Sequence, residues 1–199
     1  MKSILKIRKF PKVPSDLVEN PGDLGAIDIL TIRESKEEGN LYQLTFIDWY
    51  SNFAIAKLYD KEIESFNVKY FLQDVVNKIL SKYYVMVNQI LTDRSNIYKA
   101  SDLRNSLKNY LKDEFMNRWG TDEIDKCKAF HLLVIDDFYI ANFRLKSYRG
   151  LEKLQKDLDN WLSDYNRSPC ERNYCYGKSP IEVLASMESS LYDSFYKLN

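Results

Sequence analysis

Three short apolar runs, rich in β-branched residues, follow one another with no room between them for a helix, and this constrains the fold most. LGAIDILTI (24–32) leads across the polar turn ESKEEGN to LYQLTFIDWY (41–50), and FAIAKLY (53–59) comes directly after Ser51 and Asn52. Runs of this length and composition read as strands. A parallel pair needs a crossover of a dozen or more residues, so links this short predict an antiparallel meander.

The hydrophobic period then changes. Val68, Leu72, Val75, Val76, Ile79, Leu80 and Tyr83 recur at three and four residues and predict an amphipathic helix over 62–83. VNQILTD (87–93) follows as a buried strand, expected parallel to the first because a helix has carried the chain across the sheet. Leu103, Leu107, Leu111 and Phe115 predict a helix over 101–118, and KAFHLLVI (128–135) reads as a fifth strand. A long helix follows through Leu151, Leu154, Leu158, Trp161, Leu162 and Tyr165. Ser179-Pro180, with Glu182 three residues after the Ser, announces a last helix by its capping box. The predicted order is βββαβαβαα: an α/β domain with a five-stranded mixed sheet, its first three strands antiparallel, and helices on both faces.

Composition excludes several classes. The chain has 29 Lys+Arg against 29 Asp+Glu, one His, and 45% hydrophobic residues, which fits a packed domain rather than a disordered or strongly basic one. Cys127, Cys170 and Cys175 lack zinc-type spacing and are expected to be reduced thiols. No signal peptide or spanning segment is legible, because Lys and Arg interrupt the apolar residues of 1–13. A soluble, cytoplasmic protein without membrane contact is expected. The organisation expected is a basic arm (1–22), a core domain (23–188) and a tail (189–199).

Asp28 lies on the first predicted strand and Asp93 at the carboxyl end of the fourth. Carboxylates on neighbouring strands can share divalent cations, which favour hard oxygen ligands and assist phosphodiester chemistry. Spacing alone equally allows Asp28 as a plain strand residue and Asp93 as a cap.

PGDLGAIDIL (21–30), FIDWYSNFAIAKLY (46–59), ILTDRSN (90–96), WLSDYN (161–166) and GKSPIEVL (177–184) together resemble the catalytic core of retroviral-type integrases and insertion-sequence transposases, the DDE recombinases of RNase H-like fold. The arm KFPKVPSDLVENPGDL resembles the basic linker before that core. The resemblance implies an RNase H-like fold, DNA as partner, Mg or Mn as cofactor, self-association, and Asp28 and Asp93 as the first two acids of a triad. This chain departs from the pattern after Asp93, where Arg94-Ser95-Asn96-Ile97 replaces a small polar turn. Counting from His131 as the family's fifth-strand His, Asn142 matches the family's Asn, Phe143 replaces Gly, and Lys146 occupies the place of the third acid. An ammonium group cannot ligate Mg²⁺.

Asp137 and Glu152 are the candidate substitutes. Glu152 lies about 600° of helical rotation beyond Lys146 and so faces away unless Gly150 breaks the helix. Lys6, Arg8, Lys9, Arg94, Arg144, Lys146 and Arg149 are the candidate phosphate contacts; Lys146 is alternatively a partner for the two acids. Trp49 and His131 are expected to serve packing, His131 as a satisfied residue of an apolar strand. Three functions follow: a degenerate integrase or transposase core with residual nucleic-acid binding, an active Mg-dependent strand-transfer enzyme using a substitute acid, or an assembly or regulatory protein derived from a recombinase. No helix-turn-helix precedes the arm, so recognition of element ends is expected to come from another chain.

Overall fold

The computed structural model describes residues 18–33, 39–92, 96–99, 103, 105, 125–145, 150–169 and 177–187. Strands β1 (Leu24–Arg33), β2 (Leu41–Asp48), β3 (Ala54–Tyr59) and β4 (Gln89–Leu91) form one sheet in the order β3-β2-β1-β4. β1–β2 and β2–β3 pair antiparallel, and β4 pairs parallel to β1. The meander and the parallel return therefore stand as the link lengths require.

Helices cover both faces. Helix α1 spans residues 65–80, with α-helical Ser65–Tyr70 and Asn77–Leu80 flanking a π-helical stretch, Phe71–Val76. It buries Val68, Phe71, Leu72, Val76 and Leu80 against Ile27, Leu44, Phe46 and Ile55. Helix α2 is the short Asn96–Lys99. The opposite face carries helix α3, residues 125–145, which is α-helical at Asp125–Val134, π-helical at Ile135–Tyr139, and α-helical again at Ile140–Leu145. Beside it runs α4 (Leu151–Arg167), and together they pack Cys127, Phe130, Val134, Phe138, Leu154, Leu158 and Leu162 on Ala26, Ile47, Ala54 and Leu58. Trp49 packs against this layer, as expected. A last helix, α5, covers 180–187. Its capping box is formed: Ser179 N–H donates to Glu182 Oε2 at 2.7 Å, and Glu182 N–H donates back to Ser179 Oγ at 3.4 Å.

The expected fifth strand is not one. Residues 128–135 belong to α3, and among the described residues the sheet has four strands. An unbroken apolar run does not by itself distinguish strand from helix. Here Cys127, Phe130, His131 and Val134 turn inward at helical spacing, while Leu132 and Leu133, which lend the run its strand-like look, are 66% and 37% exposed. Of the helix expected over 101–118 only Leu103 and Asn105 are described, both helical. Most of the arm and all of the tail lie outside the described residues. Among the described residues no helix is long and apolar enough to cross a membrane.

The chain entering β1 is tied to the β2–β3 turn. Buried Asp48 accepts the N–H of Gly22 at 2.7 Å, the N–H of Ser51 at 2.7 Å and the hydroxyl of Ser51 at 2.6 Å. Burial raises its carboxyl above 3.8, opposed by these hydrogen bonds and by the charge of Lys126. Gly22 is required: its φ is +88°, and a Cβ there would lie 2.3 Å from the carbonyl oxygen of Met86.

At the other side of the sheet, two amide side chains of α4 serve the free edge of β3. Asn166 accepts the N–H of Ala54 at 2.9 Å and donates to its carbonyl at 2.8 Å. Gln155, three turns earlier, accepts the N–H of Leu58 at 2.7 Å and donates to the carbonyl of Ala56 at 3.3 Å. The two side chains thus take the place of a neighbouring strand, and they set α4 in register with β3. Substituting Asn166→Leu should leave both Ala54 groups buried and unmatched, at about 2–3 kcal/mol. The urea midpoint is expected to fall by the corresponding amount, with the slope of the transition unchanged.

Candidate functional site

Asp28 sits mid-strand on β1, on the face covered by α3, directly opposite Thr45 of β2. Side chains alternate along a strand, so Gln43 and Thr45 share that face and form a polar strip in an otherwise apolar layer. Both are fully buried. Such groups need partners, and α3 supplies them. Tyr139 O–H donates to Gln43 Oε1 at 2.6 Å, Gln43 Nε2 donates to Thr45 Oγ1 at 2.8 Å, and His131 Nε2 lies 2.9 Å from the same Oγ1. The other ring nitrogen of His131, Nδ1, faces Asp28 Oδ2 at 3.7 Å. That separation is beyond hydrogen-bond reach. The second carboxylate oxygen, Oδ1, accepts the N–H of Ile29 at 2.9 Å.

Helix α3 is held in this position at its start and its middle. Near its start Lys126 donates to the carbonyl of Trp49 and, at 2.8 Å, to Asn52 Oδ1, with its ammonium 5.0 Å from the centre of the Trp49 ring. Towards its middle the π-helical stretch matters. Eight residues of regular helix would carry Tyr139 about 80° round from His131. The wider i→i+5 turns take up that rotation, so both side chains reach the sheet.

His131 is 6% exposed. Burial lowers the imidazole from 6.5 to about 4, which leaves the ring neutral at pH 7. Burial also pushes the Cys127 thiol up, with the charge of Asp28 adding to it. Cys127 is therefore a protonated core residue, one turn before His131. It is free, as the spacing of the cysteines implied.

The site residues expected from sequence separate into three groups. Asp28 is where strand placement put it. Asp137, on the side of α3 away from the sheet, and Glu152, in the first turn of α4, are both exposed. Among the described residues no three His, Cys, Asp or Glu side chains gather in a metal-binding group. Asp93, Lys6, Arg8, Lys9, Arg94, Lys146 and Arg149 lie outside the described residues, as does the side chain of Arg144. The count that set Lys146 at the third position began from His131 as a strand residue, whereas residues 125–145 are helical. The residue that α3 turns towards Asp28 is His131 itself. Its helical neighbours Cys127, Phe130 and Val134 carried the signal, and the apolar Leu132-Leu133 pair concealed it.

A cleft of about 420 Å³ lies elsewhere, between β3, α1 and α4, lined by Phe53, Ile55, Val75, Ile79 and Leu162 among others. It is two strands from Asp28 and does not coincide with the polar strip.

A mixed sheet in this order, covered on both faces, with a carboxylate at the centre of its first strand, has the layout of an RNase H-like fold. Comparison with solved structures bears this out at the level of fold. The chain is similar to a chain of the simian T-cell lymphotropic virus intasome in complex with the PP2A regulatory subunit B56 gamma, with TM-score 0.67 and 10% identity, covering 88% of this chain and 59% of that one. It is also similar to the HTLV-2 integrase catalytic core domain in complex with magnesium in its trimeric form (TM-score 0.58, 12% identity, 83% of this chain and 97% of that one). A third likeness is to the catalytic core domain of BIV integrase (TM-score 0.58, 14% identity, 85% and 97%). No protein-family model matches the sequence, and no curated protein matches it.

The neutral state of His131 has a measurable consequence. Between 4 and 6.5 the unfolded chain binds a proton that the folded chain does not, so stability is lost as pH falls through that window. The loss is expected on the order of 3 kcal/mol. Chemical denaturation at a series of pH values checks it, and His131→Gln should flatten the curve in that window.

Proposed function

We propose that this chain is an integrase-type core that acts on DNA in integration or transposition, keeping the acidic pair Asp28 and Asp93 but lacking the family's third carboxylate. The observation that carries the reading is Asp28, central on β1 and beneath α3, in a fold shared with integrase catalytic cores. Asp93 follows Leu91 by two residues as Asp28 follows Ala26, and Ala26 and Leu91 are the last bridged pair of the parallel ladder; this supports taking the two acids together.

Asp28 is suited to be one ligand of a divalent cation. Asp28 offers a hard carboxylate oxygen with limited exposure to water, and the polar strip holds its surroundings rigid. Mg²⁺ or Mn²⁺, when bound, would supply charge neutralisation at a phosphate and activation of an attacking oxygen. The protein's own part is to orient Asp28 and exclude bulk water. The basic residues Lys6, Arg8, Lys9, Arg94, Arg144, Lys146 and Arg149 are proposed to hold phosphates by releasing counterions. Self-association on DNA belongs to the same reading.

A second reading, an assembly or regulatory protein derived from a recombinase, is favoured by the outer face of α3. Leu132, Leu133, Ile140 and Phe143 are exposed there beside Asp136 and Asp137, a surface with little to attract a phosphate backbone.

Duplex binding and strand-cleavage assays separate these. The chain is expected to bind a short duplex with an affinity that falls log-linearly with salt, and removal of residues 1–13 should reduce that slope by roughly two to four phosphate equivalents. Strand transfer in Mg²⁺ should stay near background, and Asp28→Asn should remove whatever remains while leaving duplex binding intact. Absence of duplex binding at low salt would favour the assembly protein. Efficient, Asp28-dependent strand transfer in Mg²⁺ would show a complete triad, with Asp137 and Glu152 as the acids to test next.

A further inference from the structure

The outer face of α3 fits a partner of particular chemistry. Residues three and four apart share a helix face, and here Leu132, Leu133 and Ile140 stand exposed with Asp136 and Asp137 between them. Apolar side chains grouped in this way gain by being covered. The two carboxylates repel a phosphate backbone and favour an occupant that carries cations among apolar residues. The chain has a segment of that composition. Residues 1–13 hold five cations and no acid, with Ile4, Leu5, Ile7 and Phe10 interleaved among them. Val18 packs against the layer that α3 and α4 lay on the sheet, so the described chain begins on the side of the sheet that α3 covers. The eight residues from Phe10 to Val18 span up to about 26–29 Å, whereas Leu132 to Ile140 is about 12 Å of helix. Reach is therefore ample.

We propose that residues 4–10 dock on the outer face of α3 of the same molecule, Lys6, Arg8 and Lys9 against Asp136 and Asp137, and the interleaved apolar residues against Leu132, Leu133 and Ile140. Exposed ion pairs are weak one by one. A short tether, however, gives the arm a local concentration on the order of millimolar, so a weak contact is enough to hold it. The docked cations are those proposed above to hold phosphates, and a docked arm is held back from DNA until a duplex displaces it. The arm is then an internal competitor for the chain's own DNA contacts. That consequence rests on the DNA reading, whereas the docking itself does not.

Full-length protein carrying the photo-crosslinker p-benzoylphenylalanine in place of Phe10 tests the docking. Irradiation should join the arm to the segment 132–140 of the same molecule, as mapped by mass spectrometry. The yield should be independent of protein concentration and fall as salt rises. Asp136→Lys with Asp137→Lys changes only exposed positions; it is expected to lower the yield by about fivefold or more with an unchanged circular dichroism spectrum. Adding Lys6→Glu, Arg8→Glu and Lys9→Glu to that variant should restore the crosslink. Leu132→Ser with Ile140→Ser, which alters no charge, should also release the arm and raise duplex affinity severalfold. Crosslinks that fall elsewhere on the chain, or that ignore the charges at 136 and 137, overturn the docking. Crosslinks found only between molecules, growing with protein concentration, overturn it too, in favour of exchange between copies. Release of the arm in Leu132→Ser with Ile140→Ser without a gain in duplex affinity supports the docking and removes the arm from the DNA reading.

Discussion

The polar seam between α3 and β2 is the contact on which the rest of the arrangement depends. Apolar burial drives α3 onto the sheet but leaves its position along the sheet loosely fixed, since one buried leucine or phenylalanine packs about as well one turn further on. Hydrogen bonds do not slide in that way. Lys126 on Trp49 and Asn52, His131 on Thr45, and Tyr139 on Gln43 follow one another along the helix as their partners follow one another, in reverse, along the turn after β2 and β2 itself. A shift by one turn would leave the buried Gln43, Thr45, His131 and Tyr139 unmatched. The helix is thereby fixed over Asp28, and the identity of the residue facing that carboxylate follows from the register of the seam.

How much of this could be read from the sequence depended on whether local pattern or tertiary contact decides the outcome. The meander was legible because link length leaves one choice, and α1 because its apolar residues keep helical period over many turns. The capping box at Ser179 and Glu182 was legible because both of its partners are close in the chain. The run 128–135 was misread because two exposed leucines complete an apolar stretch that its inward residues alone would have shown as helix. That misreading hid the relation between His131 and Asp28, which lie 103 residues apart. Likewise, nothing local marks Asn166 or Gln155 as partners of β3.

Fold and site chemistry are separable in this molecule. Its fold is shared with solved integrase catalytic cores at 12–14% identity. The site chemistry lies on the face of β1 and β2 that α3 covers, where Asp28 faces His131 and the histidine, a threonine, a glutamine and a tyrosine form one hydrogen-bonded strip. A neutral imidazole there fits the apolar surroundings in a way that a second carboxylate, without a cation beside it, would not.

The amide caps on β3 have a further consequence. A strand edge closed by main chain stays closed as long as the sheet exists, whereas this one is closed by side chains and opens whenever α4 lifts away. The backbone groups of Ala54, Ala56 and Leu58 would then template pairing with the same strand of another molecule. The first step of local unfolding at α4 is also the first step towards aggregation, so the docking of a single helix governs how long the protein remains in solution.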